Sequence, residues 1–125
     1  MKMVLVVDDE FLIADLLAVT LEDSGYRVVQ ANHGRRAVEA ISAERPDLII
    51  TDFMMPLMNG LELAQAVKAE ASTQNIPIIL VSAAQGAIAR CHRDLFAAVY
   101  DKPFDVFAVV NKVRELIDAA ATERS

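Results

Sequence analysis

Three acids, Asp8, Asp9 and Glu10, stand side by side directly after the apolar run VLVV. Two carboxylates ~5 Å apart in an effective dielectric of ~20 repel by about 3 kcal/mol, so the cluster needs an offset. A helix N-terminus supplies about 0.3–1 kcal/mol per acid; a bound cation supplies more. Three further polar residues also close apolar runs: Asp52 in DLIITD, Ser82 in PIILVS and Lys102 in AAVYDK. Hard carboxylate oxygens suit Mg2+. With a hydroxyl and an ammonium beside them, they make up what phosphoryl transfer requires: a carboxylate nucleophile, a cation holding the donor's oxygens, a hydrogen-bond donor and a neutralising charge. Each residue alone has a plainer role. Asp9 and Glu10 complement a helix dipole, Asp52 suits a turn ahead of Pro56 and Gly60, Ser82 suits an N-cap, and Lys102 suits solvent or the turn at Pro103 into a helix. Their joint position is what points to a site.

That position follows from the elements. Residues 3–7 (MVLVV) form a short apolar run, as expected of a strand buried on both faces. Residues 10–24 carry Ile13, Leu16, Leu17, Thr20 and Leu21 at helical spacing, with Gly25 as the stop. Strands are predicted over 27–31, 47–51, 77–82 and 97–101. Helices are predicted over 34–44 (Ala37, Val38 and Ile41 on one face), around Leu61, Ala64 and Val67, over 84–96, and in a last segment whose stripe is Val106, Val109, Val110, Val113, Leu116 and Ile117. Five strands alternating with five helices give an α/β domain with a parallel sheet covered on both faces. Ligands in such sheets bind beyond the carboxyl ends of the strands, and there Asp8, Asp9, Asp52, Ser82 and Lys102 all fall.

The 125 residues suit one domain and, at 54% hydrophobic, can bury a core without staples. Residues 1–121 read as that domain, 122–125 as a short polar tail, with no output domain visible. Cys91 is the only cysteine, so there is no disulfide framework, and a reducing, cytoplasmic setting is expected. No apolar run is long enough to span a membrane, and MKMVLVV running into acids is unlike a cleaved signal peptide. A net charge of −6 argues against direct nucleic acid binding and suits a cation or a basic protein surface. His33 and His92 lack metal-ligand spacing and read as surface residues, Cys91 as a small packed one, and Met54–Met55 as loop and core packing.

The segments VVDDE, DLIITDFMMPLMNG, PIILVSA and DKPF, in that order, cover nearly the whole chain. In them the sequence resembles the receiver domains of bacterial two-component response regulators, the CheY-like family. The resemblance implies a flavodoxin-like (βα)5 fold with strand order 2-1-3-4-5. It implies Asp52 as phosphoacceptor, Asp9 as direct Mg2+ ligand with Asp8 acting through water, and the Met54 backbone carbonyl as a further ligand. It implies Ser82 and Lys102 as the residues that bind the phosphoryl group, and a cis peptide before Pro103. A sensor histidine kinase or histidine phosphotransfer protein would be the donor, and an unidentified protein or output domain the target. Two features depart from the pattern. Val99 stands where the family often carries an aromatic switch, and Tyr100, one residue on, should face the opposite way. The interval from Ser82 to Lys102 is also shorter than usual, so helix 84–96 should be short or irregular.

The leading function is thus a phosphorylation switch, which assists its own phosphotransfer and dephosphorylation without being a metabolic enzyme. The alternative is a pseudo-receiver, an interaction module with no phosphate cycle. A phosphatase of the haloacid dehalogenase type wants an acid two residues after its nucleophile, where this chain has Met54. A flavodoxin-like flavin binder wants a Ser/Thr/Gly-rich loop after the first strand, where this chain has acids. A homodimer through the last two helices stays open, as does a stand-alone receiver against a piece of a longer regulator.

Overall fold

The computed structural model describes residues 1–83 and 94–124. Five strands, β1 Met3–Val7, β2 Arg27–Ala31, β3 Leu48–Asp52, β4 Ile78–Ser82 and β5 Ala98–Asp101, form one parallel sheet of order β2-β1-β3-β4-β5. The four helices among the described residues are α1 Phe11–Asp23, α2 Gly34–Ala43, α3 Gly60–Ala69 and α4 Val106–Arg124. The expected helix over 84–96, with His92 and Cys91, lies mostly outside the described residues.

The central strands β1, β3 and β4 are buried along their whole length, because both faces are covered and alternate residues serve different layers. Leu5, Val7, Ile49, Ile78 and Leu80 pack on one face with Ala37 of α2 and Leu63, Ala64 and Val67 of α3. Val4, Val6, Ile50, Ile79 and Val81 pack on the other with Leu17 and Leu21 of α1 and Val109, Val110 and Val113 of α4. Val99 packs on the first face and Tyr100 on the second, as strand alternation requires.

Some boundaries and faces differ from expectation. β3 runs 48–52 rather than 47–51: Asp47 stays outside the strand, its N–H donating to the Met3 carbonyl at 2.8 Å and its carboxylate accepting from the Met3 N–H at 2.8 Å. That makes Asp52 the last residue of the strand, paired with Val81. On α1 the buried stripe is Ala14, Leu17, Ala18 and Leu21, while Leu16 is exposed. Helix α4 runs on to Arg124, through most of the polar end of the chain. Gly25 does end α1, at φ +96, a conformation open to glycine at little cost. His33 is more than a surface residue: its Nδ1 accepts the Arg36 N–H at 3.2 Å and caps α2. None of the helices among the described residues is long and apolar enough to cross a membrane.

Candidate phosphoacceptor and cation site

Every parallel strand points its carboxyl end the same way, so β1, β3, β4 and β5 deliver Asp8, Asp52, Ser82 and Lys102 to one edge. Asp8 follows β1 directly. Its N–H donates to the Ala31 carbonyl at 3.1 Å, and its Oδ1 accepts the Glu10 N–H at 2.9 Å, which turns the chain into α1. Asp52 is buried, and its Oδ1 accepts the Phe53 N–H at 2.9 Å. Lys102 follows β5, where its N–H donates to the Ser82 carbonyl at 2.7 Å, and the Lys102–Pro103 peptide is cis. The Ser82 side chain is fully buried.

The Lys102 ammonium, 12% exposed, stands 3.4 Å from Asp52 Oδ2, 3.5 Å from Asp8 Oδ2 and 2.7 Å from Glu10 Oε1. Asp8, Glu10 and Asp52 each bring a carboxylate oxygen within 4.8 Å of the others. Among the described residues this is three carboxylates against one ammonium, and burial makes the imbalance felt. Burial, then the neighbouring Asp8 charge, pushes the Asp52 carboxyl up to about 6, against the opposing pull of Lys102 and the Phe53 N–H. Burial likewise raises Asp8, only partly offset by the Glu10 N–H and Lys102. For Lys102, burial works downward, but its hydrogen bond to Glu10 and the charges of Asp52, Asp8 and Glu10 together hold the ammonium above the ordinary lysine value. Uncompensated negative charge among hard oxygens fits a small divalent cation such as Mg2+.

The structure therefore brings together Asp8, Asp52 and Lys102, with Ser82 at the end of the adjacent strand. Asp9 is exposed and stands outside the converging trio; Met54, just past Phe53, has an exposed side chain. Met55 packs toward the α2–α3 face and accepts the Thr51 hydroxyl at 3.8 Å. Glu10 is the residue the sequence undersells. It occupies the N-cap position of α1, but its carboxylate caps nothing and turns instead to Lys102. The signal was present in three consecutive acids, but the partner lies 92 residues away.

The loop leaving Asp52 is held closed by backbone. The Gly60 N–H donates to the Phe53 carbonyl at 2.8 Å, and Asn59 and Glu62 cap α3 reciprocally, at 2.8 and 3.0 Å. A Cβ on Gly60 would meet the Asp52 carbonyl oxygen at 2.5 Å and Leu80 Cδ1 at 2.9 Å. Gly60→Ala is therefore expected to destabilise the protein by about 1–3 kcal/mol, read as a lower urea midpoint, and to shift the Asp52 and Phe53 amide resonances. An unchanged midpoint and spectrum would refute the close approach.

Comparison with known proteins agrees with this geometry. Residues 4–114 match the family described as response regulator receiver domain. The phosphate regulon transcriptional regulatory protein PhoB of Pseudomonas aeruginosa is 42% identical over 82 residues, 66% of this chain and 36% of that protein. The chain spans about half or less of the length of the first curated relatives it matches. Among solved structures, the signal receiver domain of a histidine kinase from Syntrophus aciditrophicus superposes with a TM-score of 0.87 at 30% identity, covering 95% of this chain and 92% of that one. The response regulator TrrA of Thermotoga maritima, solved in complex with Mg(2+)-BeF, gives 0.82 at 31% identity, covering 93% and 99%. By sequence, fold and the groups gathered at the sheet edge, the chain belongs to the response regulator receiver domain family.

Proposed function

We propose that the chain is a phosphorylation switch, in which Asp52 takes a phosphoryl group from a histidine kinase or histidine phosphotransfer protein and the change in charge alters the binding of a downstream partner. The observation that carries this reading is the Asp52 carboxylate itself: buried, one oxygen fixed by the Phe53 N–H, the other facing Lys102 at 3.4 Å beside two more carboxylates. Asp52 Oδ2 would attack phosphorus as the donor's P–N bond breaks, its electron pair leaving with the imidazole nitrogen. Lys102 neutralises a phosphoryl oxygen, and the Ser82 hydroxyl donates to another. The residues to hold Mg2+ are Asp8, Asp9, Asp52 and the Met54 carbonyl, with Asp8 and Asp52 in the converging cluster. Bound there, the cation supplies charge compensation and alignment for the transferring group.

A phosphoryl group on Asp52 carries a charge of about −1.5 to −2 at pH 7 and draws Ser82 and Lys102 toward it, which biases the domain between conformers. Water attack on the same phosphoryl group resets the switch. The donor's docking surface is α1, whose start adjoins the site and which exposes Phe11, Leu12, Leu16 and Val19. An open cleft of about 450 Å3, lined by Glu10, Ile13, Leu16, Lys102 and Phe104 among others, continues that surface to the site. The acidic surface leaves any DNA contact to another domain or partner, and the reducing setting of a single-cysteine chain suits the cytoplasm. With Val99 in place of an aromatic and Tyr100 on the opposite face, the output shape change runs through other side chains.

Beryllofluoride, a phosphoryl mimic, tests the switch. With Mg2+ it should shift the amide resonances of Asp52, Ser82 and Lys102 in the wild type and leave Asp52→Asn unchanged. Spectra of the wild type that do not respond would favour the pseudo-receiver reading.

A further inference from the structure

We infer that Glu10 is a positioning residue that holds the Lys102 ammonium away from Asp52 until a phosphoryl group arrives, so that it sets how readily the site accepts and keeps that group; this rests on the phosphorylation reading above. Lys102 has two buried carboxylates within reach, Asp8 at 3.5 Å and Asp52 at 3.4 Å, yet of the three carboxylates around it the nearest is Glu10, at 2.7 Å. Glu10 is 58% exposed and Lys102 only 12%. The contact therefore draws a largely buried ammonium toward the rim of the site, where the acid itself stays hydrated. The Glu10 side chain makes no cap hydrogen bond to α1 that would compete with this contact. Its backbone is fixed, because the Glu10 N–H is tied to Asp8 Oδ1 at 2.9 Å. Both partners are thus presented from fixed backbone, since the Lys102 N–H is tied to the Ser82 carbonyl at 2.7 Å, and the ammonium can turn between Glu10 and Asp52 through its own side-chain torsions.

A phosphoryl group at Asp52 adds charge and reach on the side facing Lys102. One ammonium then has to divide its hydrogen bonds between Glu10 and the new oxygens. Whatever free energy favours the Glu10 contact opposes that movement. Removing the acid should favour the phosphorylated form and lengthen its lifetime through Lys102. Had Glu10 served only as a cation ligand, its removal would weaken the phosphorylated form instead. The pairing joins β5 to the start of α1, so the rim of the donor surface senses where Lys102 points.

The test compares Glu10→Gln with the wild type in beryllofluoride affinity at saturating Mg2+. Partly exposed ion pairs are worth at most about 1 kcal/mol, so the affinity should tighten up to about fivefold. The same substitution in a Lys102→Met background should change nothing, because the effect acts through the lysine. Weakened or unchanged affinity in Glu10→Gln, or an equal change in both backgrounds, overturns the inference. If the wild type itself takes up no beryllofluoride, the phosphorylation reading fails, and the hold is then read from the 15N resonance of the Lys102 ammonium in metal-free protein. Glu10→Gln should shift that resonance and speed its hydrogen exchange; an unaltered signal overturns the hold itself.

Discussion

Asp52→Asn is expected to stabilise the metal-free protein near pH 7 by about 2–3 kcal/mol and to lose that advantage as the pH falls toward about 4. Burial and the neighbouring Asp8 charge push the folded-state carboxyl up to about 6, from an ordinary aspartate value of 3.8. Below about pH 4 both folded and unfolded chains carry the proton, and Asp52 brings no penalty. Between about 4 and 6 the folded protein still holds a proton that the unfolded chain has released, so its stability falls as the pH rises. Above about 6 both are ionised and the full cost of burying the charge is present. A shift of about two units at about 1.4 kcal/mol each sets the size. Asn keeps an oxygen for the Phe53 N–H but carries no charge to desolvate. Urea unfolding in chelator near pH 7, 5 and 4 checks it. An Asn variant equal to or less stable than the wild type near pH 7 would contradict the assigned burial and charge. Saturating Mg2+ should narrow the difference, because a ligand bound by the folded wild type stabilises it by mass action.

Lys102→Met should act in the opposite sense. It leaves Asp8 and Asp52 buried with no ammonium within reach among the contacts described. Removing one partner from a buried charge cluster costs about 3–5 kcal/mol. Lys102 retains some solvent contact, so about 3 kcal/mol is expected near pH 7. The penalty should shrink toward pH 5, because Asp52, deprived of its cation, takes up a proton above about 6. The pH series separates this from lost packing, which would cost the same at every pH. A loss independent of pH would show that Lys102 is held by its methylene stem rather than its charge. Combining the substitution with Asp52→Asn should recover part of the loss, since neighbouring charges are not additive.

How much of this was legible in the sequence depended on how local each cause is. The strands were readable because β1, β3 and β4 are buried on both faces and so consist of unbroken apolar residues. Once the strands were placed, parallel topology carried Asp8, Asp52, Ser82 and Lys102 to one edge. The bounds of β3 fall one residue later than the apolar run suggests because Asp47 is held by a backbone and side-chain pairing to Met3, a contact between elements. Helix α1 misled more seriously. It is apolar nearly all the way round, so spacing alone chose Leu16 for the core, where the structure buries Ala14 and Ala18 and leaves Leu16 to solvent. That apolar excess leaves Phe11, Leu12, Leu16 and Val19 exposed, the surface proposed above for the donor. The sequence neighbours of Glu10 point only to the helix dipole; its ammonium partner comes from the far end of the sheet. The opposite facing of Val99 and Tyr100 needed only strand alternation, and the two core faces bear it out.

The central claim is that Asp52 accepts a phosphoryl group with the help of a divalent cation. It is tested most directly by incubating the protein with Mg2+ and acetyl phosphate and measuring the intact mass. The wild type should gain the mass of one phosphoryl group. The gain should vanish in chelator and in Asp52→Asn. A wild type and an Asp52→Asn variant that behave alike, whether both gain the group or neither does, would contradict the account.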